Sequence, residues 1–208
     1  MIHIVTPANE TLYRDEMEQA WRLRHDIFVT EKGWTDLAKP DRREIDQFDT
    51  PHAIHFLAIE DGRVIGYSRL LPTTRPHLLS DIMPQLCEGE LPRGSDCWEW
   101  TRQAVARSHR ARGKAVNPVS LALLTGIVEW GMHHGVNRLV LQMPTLYLLH
   151  VVQLHFRARP LGLPHSISGE DIIAATAEFD ERTLARLRNV SGNPDSVLAP
   201  SSYAYLAA

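Results

Sequence analysis

Apolar and polar positions along the chain change period several times, and each change marks an element. Ile2–Val5 predicts a short strand. From Thr11 to Thr30 the spacing is helical, with Thr11 placed as N-cap. Met17, Trp21, Arg24 and Phe28 share one face of that helix, so Arg24 points where apolar core is expected. Ala53–Glu60 and Arg63–Leu71 predict two strands joined through Asp61-Gly62, a strong hairpin signal. Leu78–Pro92 is irregular, with at most one short helix. Cys97–Ala106 alternates with period two, so Glu99, Thr101, Gln103 and Val105 face one way and Trp98, Trp100, Arg102 and Ala104 the other. Asn117 and Pro118 open a helix that runs to about His134 and closes at Gly135. Arg138–Met143 predicts a strand, Pro144–Phe156 a second amphipathic helix, Arg157–Leu163 an extended return and Asp171–Thr176 a late strand. A short helix is expected over Asp180–Arg188, with a loosely held tail after about Ser191.

This order predicts a mixed α/β chain with a partly antiparallel sheet. The 208 residues fit one domain, 1–208, with room for a substantial core. A net charge of −3 argues against bulk attraction to nucleic acid or an anionic membrane. Two cysteines, Cys87 and Cys97, exclude a disulfide framework and a zinc-type CxxC pair. The start lacks the basic and long apolar regions of a signal peptide. The most apolar run, Leu139–Phe156, is broken by Gln142, Pro144, His150 and Gln153, which argues against a membrane span. A cytoplasmic location is expected. GxSxG, Walker A, GxGxxG and HExxH signatures are absent, and His133-His134 lacks metal-ligand spacing.

Candidate chemistry concentrates in two places. A guanidinium on an apolar face costs several kcal/mol unless paired, and Glu44, Asp46 and Asp49 follow Arg24 closely. They lie in the loop between Lys32 and Thr50, which is long for a compact domain. Trp34, just after Gly33, can lie over whatever that loop covers. A purely structural salt bridge stapling the helix end reads equally from these residue types. The second place is the loop Arg110-Ala-Arg-Gly-Lys-Ala115 between a strand and a helix. Its glycine permits close backbone approach, and its cations suit a phosphate or pyrophosphate. A solvated basic loop fits the same residues.

Strand, R/Q-x-x-G-x-G/A loop and helix together resemble the coenzyme A cradle of the GNAT acyltransferases, with Arg110, Gly113 and Ala115 at the matching positions. A wider set resembles the acyl-homoserine lactone synthases of bacterial quorum sensing. Arg24, Phe28 and Trp34 form R-x3-F-x5-W, Asp46 and Asp49 stand in EIDQFD, Arg69 in GYSRLLPT, and Glu99 and Arg102 in EWTR. Gln103 departs from the pattern, since the family usually has an aromatic there. The resemblance implies a GNAT-like three-layer α-β-α sandwich with a mixed, largely antiparallel sheet. It implies an acyltransferase that moves an acyl group from a thioester to the amine of S-adenosylmethionine (SAM), then closes the lactone and releases methylthioadenosine. Acyl-CoA is favoured over acyl carrier protein, and a short or compact acyl group is expected. SAM and the thioester are substrates, so no cofactor is expected.

Within that resemblance Glu99, Arg102 and Arg69 are the candidate catalytic residues, with Glu99 as base. Arg24, Phe28, Trp34, Asp46 and Asp49 are the candidate SAM-binding residues, the aromatics covering adenine or sulfonium. Trp100, Leu141, Met143 and Tyr147, with Arg110, Gly113 and Ala115, are the candidate acyl and coenzyme A contacts. Each of the apolar four also reads as ordinary core. Two rivals stand beside this reading. One is a generic GNAT N-acetyltransferase that uses acetyl-CoA on another amine. The other is a non-catalytic regulator that binds thioester or SAM.

Overall fold

A computed structural model of the chain describes residues 1–110 and 117–200. Two units emerge from the packing. Among the described residues, one holds 1–69, 102–110, 117–127 and 195–200, and the other Leu70–Thr101 and Val128–Pro194. Two strands, β3 (Arg63–Pro72) and β4 (Cys97–Val105), give residues to both.

In the first unit β1 (Ile2–Val5) pairs antiparallel with β2 (Ile54–Glu60), from Ile2 opposite Ala58 to Val5 opposite His55, and β3 follows β2 in the sheet. Asp61 at φ 48° and Gly62 at φ 72° make the two-residue turn of the β2–β3 hairpin. Helix α1 (Arg14–Arg24) packs its face of Met17, Ala20 and Arg24 inward. Met17 and Ala20 join Val5, Leu57, Tyr67 and Phe28 in one buried cluster. Gln19 on the same helix accepts from Val64 N at 3.1 Å and donates to Gly62 O at 3.3 Å, which ties helix to hairpin.

The helix begins differently from the sequence expectation. A 3-10 turn, Glu10–Tyr13, precedes α1, and no side chain caps it, so Thr11 is not an N-cap. Asn9, the residue before that turn, spends its side chain on Thr6 N and Ile4 O. The far end also changes: His25–Glu31 is a π-helix, with Lys32 N donating to Ile27 O, five residues back, at 3.0 Å. Gly33, at φ 72°, then turns the chain out of the helix.

The chain beyond Ser191 is anchored as far as it is described. Ile2 N donates to Val197 O at 2.9 Å and Ala199 N to Ile2 O at 2.8 Å, and Leu198 and Ala199 are buried. The loose tail expected from the sequence is therefore tied to β1 over these residues, because Leu198 has an apolar site to fill. Asn117 caps α3 (Pro118–His133) as expected, accepting from Ser120 N at 2.9 Å. A Cβ at Gly66 would lie 2.6 Å from Val119 Cγ1, so this glycine lets α3 approach β3 closely.

In the second unit β4 runs parallel to β5 (Arg138–Pro144), and β5 pairs antiparallel with β8 (Glu170–Glu178). β6 (Arg157–Pro160) and β7 (His165–Ile167) both pair antiparallel with β8. The pairing is thus mixed and mostly antiparallel. β7 had no signal in the sequence, because it is three residues long and half polar. Helix α5 (Glu181–Ser191) is capped by Asp180, which accepts from Arg182 N and Thr183 N, and Gly192 at φ 68° closes it.

The amphipathic helix expected over Pro144–Phe156 is much shorter. Pro144 remains in β5 opposite Ile172, so the strand runs through the proline. One 3-10 turn, Thr145–Tyr147, then leads into α4 (Leu148–Gln153), and His155 at φ 66° ends it. No residue of α4 is buried.

Candidate active site

Arg24, the buried cation of α1, sits in a lattice of three guanidiniums and three carboxylates, all within the first unit. Arg24 Nε donates to Glu44 Oε2 at 2.6 Å, and its two terminal nitrogens grip Asp49 at 2.8 and 2.9 Å. Arg69 on β3 grips Asp46 the same way at 2.7 and 2.9 Å and lies 2.7 Å from Asp49 Oδ1. Arg102 on β4 donates to both oxygens of Glu44 at 3.1 Å and to Asp46 Oδ2 at 2.7 Å. Glu44 is carried to its place by backbone: its N–H donates to Trp21 O at 3.1 Å. Asp46 and Asp49 lie in a tight turn in which Asp49 Oδ2 accepts from Asp46 N at 2.8 Å.

Formal charge cancels across the six groups, which is what makes their burial affordable. Arg24 and Arg69 have no exposed surface, and the Asp46 and Asp49 side chains retain 3% and 5%. Burial opposes the charge on Asp49, but Arg24 and Arg69 override it and hold the carboxyl far below the usual range. Asp46 and Glu44 are lowered in the same way, against their own burial, by Arg69 and by Arg24 respectively, each with Arg102.

Aromatic rings meet the lattice on two sides. Phe28, in the π-helix, and Trp34, just past Gly33, stack at 5.1 Å and 18°. The Arg102 guanidinium lies over both rings, at 5.4 and 5.6 Å. Elsewhere in the lattice Arg24 donates to the Tyr67 hydroxyl at 3.2 Å, and that hydroxyl lies 2.7 Å from His55 Nδ1. With the hydroxyl accepting from arginine, its proton goes to Nδ1, so His55 carries its own proton on Nε2. Burial pushes Tyr67 up to about 12 and pulls His55 down to about 4. His55 and Asp49 both border a cavity of about 170 Å³. That is below the roughly 300 Å³ at which drug-sized ligand pockets begin, so it suits a small group.

Arg102 owes its place to a backbone irregularity. Its φ is 57°, left-handed, a conformation that costs a non-glycine residue roughly 1–2 kcal/mol. Along β4 the buried positions run Cys97, Glu99, Thr101 and then Arg102, Ala104 and Val105, so the alternation slips by one at Arg102. The strict two-faced pattern expected from the sequence therefore holds only as far as Thr101.

Glu99 belongs to a separate cluster, in the second unit. Its Oε2 accepts from Leu78 N at 2.7 Å, and its Oε1 from Leu79 N at 2.7 Å and Gln142 Nε2 at 2.9 Å. The amides are the first of α2 (Leu78–Asp81), so the carboxylate pins the start of that helix. His77 Nδ1 lies 3.0 Å from Glu99 Oε1, and both residues are fully buried.

The remaining expected contacts scatter. Trp100 and Met143 are half-buried, and Leu141 is core at 4% exposure. Tyr147 is 54% exposed and Leu146 beside it 78%, so neither is an interior wall. Arg110 donates to Val105 O and to Glu31 Oε2 at 2.7 Å. Gly113 and Ala115 lie outside the described residues. Sequence reasoning missed Tyr67, His55, His77 and Gln142. Tyr67 had a usable signal, because it shares a strand face with Arg69; the other three had none. Among the described residues no group of three or more His, Cys, Asp and Glu is arranged to hold a metal, and no helix is long and apolar enough to cross a membrane.

The fold is GNAT-like: Escherichia coli ElaA superposes at a TM-score of 0.59 over 86% of this chain and 99% of its own, and at 17% identity that likeness concerns fold alone. An autoinducer synthase family model matches residues 8–187. The chain is 36% identical to isovaleryl-homoserine lactone synthase of Bradyrhizobium diazoefficiens, over 95% of this chain and 88% of that protein. The structure of the CoA-dependent acyl-homoserine lactone synthase BjaI with SAM and isopentyl-CoA superposes at a TM-score of 0.88, with 33% identity, over 100% of this chain and 98% of that one. The chain belongs to the autoinducer synthase family, and its activity is that of an acyl-homoserine-lactone synthase, an acyltransferase.

Proposed function

We propose that the chain, as one synthase domain acting in the cytoplasm, acylates the α-amine of SAM from a short, branched acyl-CoA. The SAM carboxylate then attacks its own side chain, closing the lactone and expelling methylthioadenosine. One observation carries the assignment of the SAM platform: Arg102 lies across the stacked Phe28 and Trp34 while bonded to Glu44 and Asp46. Flat aromatic faces suit adenine and sulfonium, and a guanidinium suits a carboxylate. Arg24 and Arg69 are organisers in this reading, because their donors are already taken by carboxylates. The oxygens of Asp46 and Asp49 are likewise committed to arginine, so these residues aim the cations and do not grip the SAM ammonium themselves.

The acyl donor rests on the comparisons: a relative is an isovaleryl-homoserine lactone synthase, and a similar solved structure holds isopentyl-CoA. Arg107 and Arg110, both paired to Glu31, precede in sequence the loop that would meet coenzyme A. Glu99 and its hydrogen-bonded cluster are assigned the proton transfer that frees the amine. The experiment is an assay of purified protein with labelled SAM and isovaleryl-CoA, acetyl-CoA or isovaleryl-acyl carrier protein, products identified by mass. N-isovaleryl-homoserine lactone and methylthioadenosine should form together, fastest from isovaleryl-CoA. Coenzyme A release that does not depend on SAM would instead support a generic acetyltransferase and end this reading.

A further inference from the structure

One carboxylate ties the cations that follow β4 to the element that carries the aromatic rings. Glu31 ends the π-helix that holds Phe28, and it stands in sequence midway between Phe28 and Trp34, which stack on each other. Its Oε2 accepts from Arg110 Nη1 at 2.7 Å, and its Oε1 lies 3.3 Å from Arg107 Nε. All of these residues belong to the first unit. The hydrogen bond from Arg110 is the main influence holding the Glu31 carboxyl below its usual range, so the anion is present at neutral pH. The backbone that carries the arginines is already fixed. Ala106 N donates to Ile65 O at 2.8 Å, Asn117 Nδ2 donates to His109 O at 2.8 Å, and His109 Nε2 lies 3.0 Å from Glu60 Oε2. What remains to be set is where the guanidiniums point. Arg110 spends Nε on Val105 O and Nη1 on Glu31, which leaves Nη2 without a hydrogen-bond partner among the described residues. The Glu31 side chain is 21% exposed and that of Arg107 80%, so an incoming anion meets the cation before the carboxylate.

We propose that Glu31 is a positioning residue for the acyl donor: it holds Arg107 and Arg110 as a paired grip for the phosphate groups of a coenzyme A thioester. A guanidinium presents its N–H groups in a planar fork, so contact with one carboxylate fixes the plane and still leaves donors for phosphate oxygens. Long exposed arginines lose rotamer freedom when they close on a ligand, and an anion that fixes them beforehand reduces that cost. The same anion keeps two like charges together before the phosphates arrive, and the cluster as a whole stays positive. Because Glu31 lies on the element that carries Phe28, the grip is set from the helix of the SAM platform itself. The inference rests on the synthase reading above and adds to it a residue that touches neither SAM nor the reacting atoms.

The test compares wild type and Glu31→Gln as full-length proteins with SAM and isovaleryl-CoA, isovaleryl-phosphopantetheine or isovaleryl-pantetheine, the last of which carries no phosphate. Glu31→Gln should raise KM for isovaleryl-CoA by about fivefold, the scale of a partly exposed ion pair, with kcat within about twofold. KM for isovaleryl-pantetheine should not move, and the melting temperature should stay near wild type. Binding of coenzyme A and of pantetheine, followed by calorimetry, gives the same contrast without turnover. In an Arg107→Ala, Arg110→Ala background, adding Glu31→Gln should change KM no further, because the carboxylate then has nothing to aim. A rise confined to isovaleryl-CoA supports a grip on the diphosphate. An equal rise with isovaleryl-phosphopantetheine supports the grip and assigns it to the phosphate that a carrier protein shares. A lower KM for isovaleryl-CoA in Glu31→Gln overturns the proposal, since Glu31 would then compete with the phosphates. An unchanged KM overturns it as well. So does an equal rise with isovaleryl-pantetheine, or one that persists without the two arginines, because either marks a general structural effect. Failure of the synthase reading would be separate, because wild-type protein would then make no lactone from any donor.

Discussion

Three residues apart on β4, Arg102 and Glu99 stand in polar clusters built on opposite plans. Around Arg102, charge answers charge: three guanidiniums and three carboxylates interlock, mostly through paired contacts. Around Glu99 a lone anion is held by neutral donors, two backbone amides and a side-chain amide, with an imidazole beside it. The first plan is rigid, because removing any member strands an opposite charge in the interior. The second holds no guanidinium, so losing one of its donors strands no opposite charge. In the proposed reading the first is the platform that keeps its shape and the second the group that exchanges a proton.

The largest break in this contrast should come from Arg24→Ala. It leaves Glu44 and Asp49 short of a partner, and losing one side of a buried pair costs about 3–5 kcal/mol. In a chain of this size that is a fall in Tm of roughly 10 °C; a melt within 2 °C of wild type would show that the lattice is not the rigid plan described. Acid should come next. Glu44, Asp46 and Asp49 sit below their unfolded values near 4. Their pairing is therefore fully present above about pH 4 and is lost as pH falls through the depressed values. His55, about 4 when folded against about 6.5 unfolded, stabilises fully above about pH 6.5 and loses that contribution as pH falls toward 4. Melts from pH 8 to 3 should show a first decline below 6.5 and a steeper one below 4. His55→Gln should remove only the first; if both survive unchanged, the titrating group is another.

Glu99→Gln should cost less, about 1–3 kcal/mol, since one amide acceptor is lost but the volume is kept. Its turnover should nevertheless fall far more than its SAM binding by calorimetry, and equal losses would make Glu99 a purely structural anchor. Smallest should be Tyr147→Ala: at 54% exposure its effect on stability is expected within about 0.5 kcal/mol. A clear rise in the KM for isovaleryl-CoA would give this exposed ring a share in the acyl site, and an unchanged KM would remove it.

What could be read without coordinates follows the same division. Arg24 on an apolar helix face demanded carboxylates, and Glu44 and Asp49 supply them, so the need for pairing was legible from cost; that Arg69 and Arg102 join through Asp46 was not. Other elements were legible too, the β2–β3 hairpin through Asp61-Gly62 and the start of α3 through Asn117-Pro118. The slip at Arg102 was not, because nothing in EWTRQ marks a left-handed arginine. Nor was His77, which follows a proline in an irregular stretch and gains meaning only from what α2 brings to Glu99. Around Pro144 the sequence misled, since β pairing with Ile172 outweighed the usual role of proline as a strand terminator.

The turn at His25–Glu31 carries one residue more per winding than an ordinary helix. That surplus can be subtracted. Excising a single residue between Phe28 and Gly33 would let the winding relax to its common form and would shorten the link between the two rings. Phe28 or Trp34 would then swing away from its companion, and the flat surface beneath Arg102 would be dismantled with every one of its side chains still present.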